Sequence, residues 1–125
     1  MDNREAYDLI RSFSDFEKRR YEFVAEMGEY VVSEDANEFM RMSFAFLRKV
    51  RSLIDALNGK RSQISDDYAY ATYYGGFFPD MRDAYSCSNC ISSLNDIREY
   101  VDSWVKRCKI TGEYDYWLFL YLSNQ

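Results

Sequence analysis

The stretch Ser33-Glu-Asp-Ala-Asn-Glu-Phe-Met-Arg-Met-Ser-Phe-Ala-Phe-Leu-Arg-Lys-Val-Arg-Ser-Leu-Ile-Asp-Ala-Leu-Asn-Gly59 decides the fold class. Ala36, Phe39, Met40, Ser43, Phe46, Leu47, Val50, Leu53, Ile54 and Leu57 recur at spacings of three and four, the period of a helix with one apolar face. Ser33 is a good N-cap residue, since its hydroxyl can accept a free N–H of the first turn. Glu34, Asp35 and Glu38 stand near the positive end of the helix dipole, and Arg48, Lys49 and Arg51 lie in its later half. Asn58-Gly59 reads as a C-terminal stop. The expectation is a helix over 34–58.

Upstream, Ala6, Leu9, Ile10, Phe13, Phe16, Phe23, Val24 and Met27 make a second apolar stripe, so residues 4 to about 30 read as a long helix. Asp2 or Asn3 can cap it, Asp15 and Arg19 form an i,i+4 pair, and Gly28 either ends it or is tolerated as it runs on to Val32. Downstream, Pro79-Asp80 suits a helix start. Met81, Ala84, Tyr85, Cys87, Ser88, Ile91, Leu94, Ile97, Val101, Trp104, Val105 and Cys108 then form a stripe, predicting a helix over about 80–109 with an Asp102–Lys106 pair. Thr111-Gly112 breaks it. The tail 113–122 is apolar on nearly all sides and reads as a short buried helix capped by Thr111, or as an inner strand.

Between the second and third helices lies Ser65-Asp-Asp-Tyr-Ala-Tyr-Ala-Thr-Tyr-Tyr-Gly-Gly-Phe-Phe-Pro-Asp80. Tyr70, Tyr73, Tyr74 and Phe77 recur at helical spacing, while Tyr68, Tyr70, Thr72 and Tyr74 alternate as in a strand. The first pattern predicts a short helix ending at Gly75-Gly76. Short connections between long helices imply antiparallel neighbours. The reading is therefore all-α: one domain over 1–125, an antiparallel three- or four-helix bundle with a Tyr-rich short helix or loop between helices two and three.

Composition narrows the function. The chain has 12 Tyr, 9 Phe and 2 Trp but no His, and a net charge of -5. Without His, nucleophilic catalysis through a Ser–His or Cys–His pair is excluded. No sustained basic stripe exists, since Lys18-Arg19-Arg20 and Arg48-Lys49-Val50-Arg51 are both flanked by acids; direct nucleic-acid binding is disfavoured and a basic protein partner favoured. No run reaches the roughly 20 apolar residues of a membrane span. The N-terminus lacks the basic and apolar regions of a signal peptide, and three cysteines read as free thiols, which together point to a cytoplasmic protein. Cys87-Ser-Asn-Cys90 has Cys-x-x-Cys spacing, but three cysteines without His fall short of a closed zinc site. Asp66, Asp67, Asp80 and Asp83 sit where acids serve as helix caps, so no catalytic residue, metal site or cofactor is expected.

The candidate partner-binding residues are Asp66, Asp67, Tyr68, Tyr70, Tyr73, Tyr74, Phe78, Asp80 and Asp83. Tyrosine offers a large, stiff contact area with a polar tip and is enriched at interface hot spots. The same rings could instead close the open end of the bundle core. A mixture places Tyr70, Phe77 and Phe78 inward and Tyr68, Tyr73 and Tyr74 outward. The tail rings could supply a homodimer face through residues 113–122 if the core does not bury them. The resulting expectation is a small acidic interaction module that inhibits a partner by occluding its basic, nucleic-acid-binding surface. Toxin-immunity proteins and phage-encoded inhibitors of host defence nucleases share this compositional profile, and for a phage-encoded protein the site of action would be the host cytoplasm. The alternatives are an oligomerising structural subunit and a small-ligand-binding or catalytic helical bundle.

Overall fold

The computed structural model describes residues 3–125; Asp2, one of the two expected caps, lies outside them. In chain order the elements are α1 (Arg4–Met27), β1 (Val31–Val32), α2 (Ala36–Tyr74), α3 (Met81–Thr111), β2 (Tyr114–Asp115) and α4 (Tyr116–Ser123). The chain is all-α apart from the two-residue strands, which pair antiparallel with Val31 opposite Asp115 and Val32 opposite Tyr114.

A seven-residue repeat organises α2 and α3. Phe39, Phe46 and Leu53 lie seven apart, as do Ser43, Val50 and Leu57, and all six are buried. In α3 the buried series are Cys87, Leu94, Val101 and Cys108, and Cys90, Ile97 and Trp104. Such a repeat keeps one seam of each helix facing its partner. The two helices run antiparallel: Lys109 lies over the Phe44 ring, Arg61 donates to Ser88, and the Tyr68 and Phe78 rings meet at the turn.

Helix α1 lays Ala6, Leu9, Phe13 and Phe16 on this hairpin. The Phe13 ring meets Phe46 at 6.3 Å and Tyr100 at 5.7 Å. Near the start of α1, Asn3 makes no side-chain cap bond; its side chain instead accepts from Lys60 at 3.2 Å and faces the Cys87 sulfur. Helix α4 inserts Leu118 and Leu122, and Tyr121 packs among Phe13, Phe16 and Phe46.

Several boundaries differ from expectation, each for a tertiary reason. α2 does not stop at Asn58-Gly59. Gly59 keeps a negative φ, the Arg61 guanidinium ties Asn58 to Ser88 across the hairpin, and α2 continues to Tyr74. The Tyr-rich segment is thus the end of α2, not a separate short helix or loop. Ser33 does not cap α2. Val32 is committed to β1 and the Tyr114 hydroxyl donates to the Glu34 carbonyl, so the chain turns through a left-handed Asp35 (φ 56°, ψ 33°). The same strand pairing ends α1 at Met27, where Gly28 has φ 79°. α4 is capped by Asp115, whose carboxylate accepts from the Leu118 N–H at 2.9 Å; Thr111 belongs to α3. Asp80 caps α3 as expected, and Lys106 pairs with Asp102 at 3.1 Å. Asp15 and Arg19 do not pair among the described residues.

Candidate functional site

The hairpin tip, residues 62–86, lies beyond the start of α1. With only two helices present, a seam buries little, and within this span Ala71 alone is buried. Tyr68, Tyr70, Tyr73, Tyr74, Phe77, Phe78, Met81 and Tyr85 are all exposed, Tyr73 by 83% and Tyr74 by 79%. The outward placement of Tyr68, Tyr73 and Tyr74 agrees with the sequence. The inward placement of Tyr70, Phe77 and Phe78 does not, because among the described residues no third helix reaches this height to receive them. The rings pair locally instead, Tyr68 with Phe78 at 5.2 Å and Tyr70 with Tyr74 at 4.9 Å.

The four tip acids are exposed but not equivalent. Asp80 accepts from the Arg82 backbone N–H at 2.9 Å and holds its guanidinium at 2.8 Å; these hydrogen bonds lower its pKa. Asp67 accepts from Gln63 at 2.9 Å. The Asp66 and Asp83 carboxylates have no hydrogen bond or ion pair among the described residues, although Asp83 lies in the field of Arg82. Arg82 is the only base between Ser62 and Ser86, so the tip is acidic as well as aromatic.

Cys87, Cys90 and Cys108 are buried free thiols. Burial raises the pKa of Cys90 and Cys108, disfavouring the thiolate needed for redox or metal chemistry. Among the described residues no group of three or more Cys, Asp or Glu is placed to hold a metal ion, and no helix is long and apolar enough to cross a membrane.

A second feature, absent from the sequence-based expectations, is a groove of about 550 Å³ between α1 and α4. Its lining includes Phe16, Arg19, Arg20, Phe23, Trp117 and Tyr121, with Phe23 stacked on Trp117 at 4.1 Å. Beside it, Arg20 Nε donates to Asp115 at 3.1 Å, while Asp115 is wholly buried and its Oδ1 has no hydrogen-bond partner among the described residues. Burial alone would lower the Arg20 pKa, but the Asp115 hydrogen bond and nearby negative charge raise it. Two signals were available: Arg20 continues the Ala6–Phe13 line of α1, and Asp115 is the only charge between Tyr114 and Leu122. The expected homodimer segment is largely committed to this packing: Tyr114, Leu118 and Leu122 are buried, and Leu120 is its exposed residue.

Compared with known proteins, this chain matches no family model, no curated protein and no solved structure.

Proposed function

We propose that this protein is a protein–protein interaction module that docks through the α2–α3 tip and inhibits a basic partner by occluding its nucleic-acid-binding surface. On this reading the scaffold is an antiparallel four-helix bundle whose second and third helices are prolonged into a docking arm. One observation carries the reading. Eight large apolar or aromatic side chains lie exposed between Tyr68 and Tyr85, where a monomer would ordinarily leave no contiguous apolar surface bare.

Charge supplies the partner's chemistry. Among the described residues no base contacts the carboxylates of Asp66, Asp67 and Asp83, and they favour encounter with a positive surface. They would stand in for phosphates while Tyr73 and Tyr74 anchor the contact. Asp80 contributes less, because Arg82 already occupies it. The groove between α1 and α4 favours a second reading, a small-ligand binder, through its aromatic lining and volume.

The test uses the wild-type chain as bait in lysate of its source organism, followed by quantitative binding of the captured protein. Tyr73→Ala or Tyr74→Ala should cost about 1–3 kcal/mol of binding, and binding should weaken with salt. Both side chains are exposed, so neither change should disturb the fold. If both variants bind the captured partner as tightly as wild type, the tip is not the docking surface.

A further inference from the structure

Helix α1 does not cover the whole hairpin. Near its start, Asn3 meets Lys60 of α2 and Cys87 of α3. Beyond Lys60, α2 continues for 14 residues (61 to 74), roughly 20 Å at 1.5 Å per residue.

Contacts define which face α1 occupies, and the seven-residue repeat carries that face forward. On α2, Phe46 touches Phe13 and Lys60 binds Asn3; stepping on from Lys60 by sevens reaches Asp67 and then Tyr74. Lys49 shares a groove with Leu9 and Ser12, and the same step leads through Ala56 and Gln63 to Tyr70. On α3, Ser93 and Ile97 share a groove with Ile10 and Phe13; stepping back by sevens gives Ser86 from Ser93, and Cys90 then Asp83 from Ile97. The track of α1 therefore runs onto the tip between Gln63, Asp67, Tyr70 and Tyr74 on one side and Asp83 and Ser86 on the other. All but Ser86 are exposed.

We infer that this uncovered track binds a basic amphipathic helix of the partner protein, lying end to end with α1. The inference rests on the docking role proposed for the tip. Lower on the same track the occupant is already a helix, which presents Ala6, Leu9, Phe13 and Phe16 to the hairpin. On the tip, the Tyr70–Tyr74 ring pair offers the apolar contact. Asp67 and Asp83 supply one carboxylate from each wall, and the tip's only base, Arg82, is held by Asp80. Lysine or arginine flanking an apolar stripe complements that arrangement. Tyr68, Phe78 and Tyr85 lie off this track: Tyr68 is one repeat beyond Arg61, which reaches across to Ser88.

The probe is a synthetic helical peptide of about 18 residues, roughly 27 Å long. It carries leucine at every third and fourth position with lysine and alanine between, and its control replaces lysine with glutamate. Binding to the isotopically labelled chain is read by amide shift mapping. The lysine peptide should shift Gln63, Asp67, Tyr70, Tyr74, Asp83 and Ser86, and the glutamate peptide should not. Asp67→Asn with Asp83→Asn should weaken the lysine peptide about fivefold or more, while Glu26→Gln, an exposed acid near the far end of α1, should stay within about twofold. Absence of binding, shifts centred on Tyr68, Phe78 and Tyr85, or undiminished binding by the double Asn variant would each overturn the inference. A native partner that still depends on Tyr73 and Tyr74 would then leave the tip's docking role standing and remove only the helix.

Discussion

Replacing Arg20 by methionine tests its pairing with the buried Asp115 carboxylate. Asp115 is 0% exposed and accepts two hydrogen bonds on Oδ2, from Leu118 N–H and Arg20 Nε, while the Arg20 side chain is 19% exposed. Methionine keeps the apolar stem but removes the guanidinium, leaving a buried carboxylate with its cap bond alone. Breaking a buried pair from one side costs about 3–5 kcal/mol, and the partial exposure of Arg20 lets water in, so about 2–4 kcal/mol is expected. Asp115→Asn keeps an oxygen for Leu118 and strands only an arginine that can reach water, so it should cost about 1–2 kcal/mol. The decisive case is the double variant. With both charges gone no carboxylate is buried unpaired, so adding Asp115→Asn to Arg20→Met should restore about 1–2 kcal/mol. Urea unfolding followed by tryptophan fluorescence measures all four proteins, with Trp117 reporting on α4. A loss below about 1 kcal/mol for Arg20→Met, or a double variant no more stable than that single one, would refute the role assigned to the pair.

Two further outcomes follow from particular positions. Gly59 lies inside α2 with negative φ and open space where a Cβ would stand, so Gly59→Ala should stabilise the protein by about 0.5–1 kcal/mol; destabilisation in urea would mean that the helix stops there. The Glu17 pKa is raised by burial and by Asp96, so the folded state holds that proton more tightly than the unfolded chain does. Its ionisation therefore erodes stability as pH rises through the carboxylate range. Glu17→Gln should raise the melting temperature at neutral pH and leave it unchanged below about pH 3, and a decrease at neutral pH would contradict that sign.

The helical class was legible because apolar residues at spacings of three and four in 4–27, 36–58 and 81–108 demand a buried stripe whatever the partner. The start of α3 was legible too, since an Asp80 cap is a local hydrogen bond. The structure alone shows that the rings of the Tyr run face water rather than the core, but the positions of that run and of the tip acids could be read from the sequence. The length of α2 could not: Asn58-Gly59 has the chemistry of a stop, and what carries the helix past it is the α3 seam together with the Arg61 bridge to Ser88. Nor could the fate of Tyr70, Phe77 and Phe78. Their spacing signals a buried face, but burial needs a third helix, and α1 begins too low on the hairpin to provide it. Asp115 shows the reverse. A charge in an apolar tail reads as a surface residue until Arg20, 95 positions away, is folded against it. The amino-acid sequence by itself determined which segments are helical and which faces are apolar, because those follow from local hydrogen bonding and side-chain period. Only the tertiary structure decided that α2 runs on through Asn58-Gly59 and which aromatics stay in water, because both depend on which helices pack beside that segment.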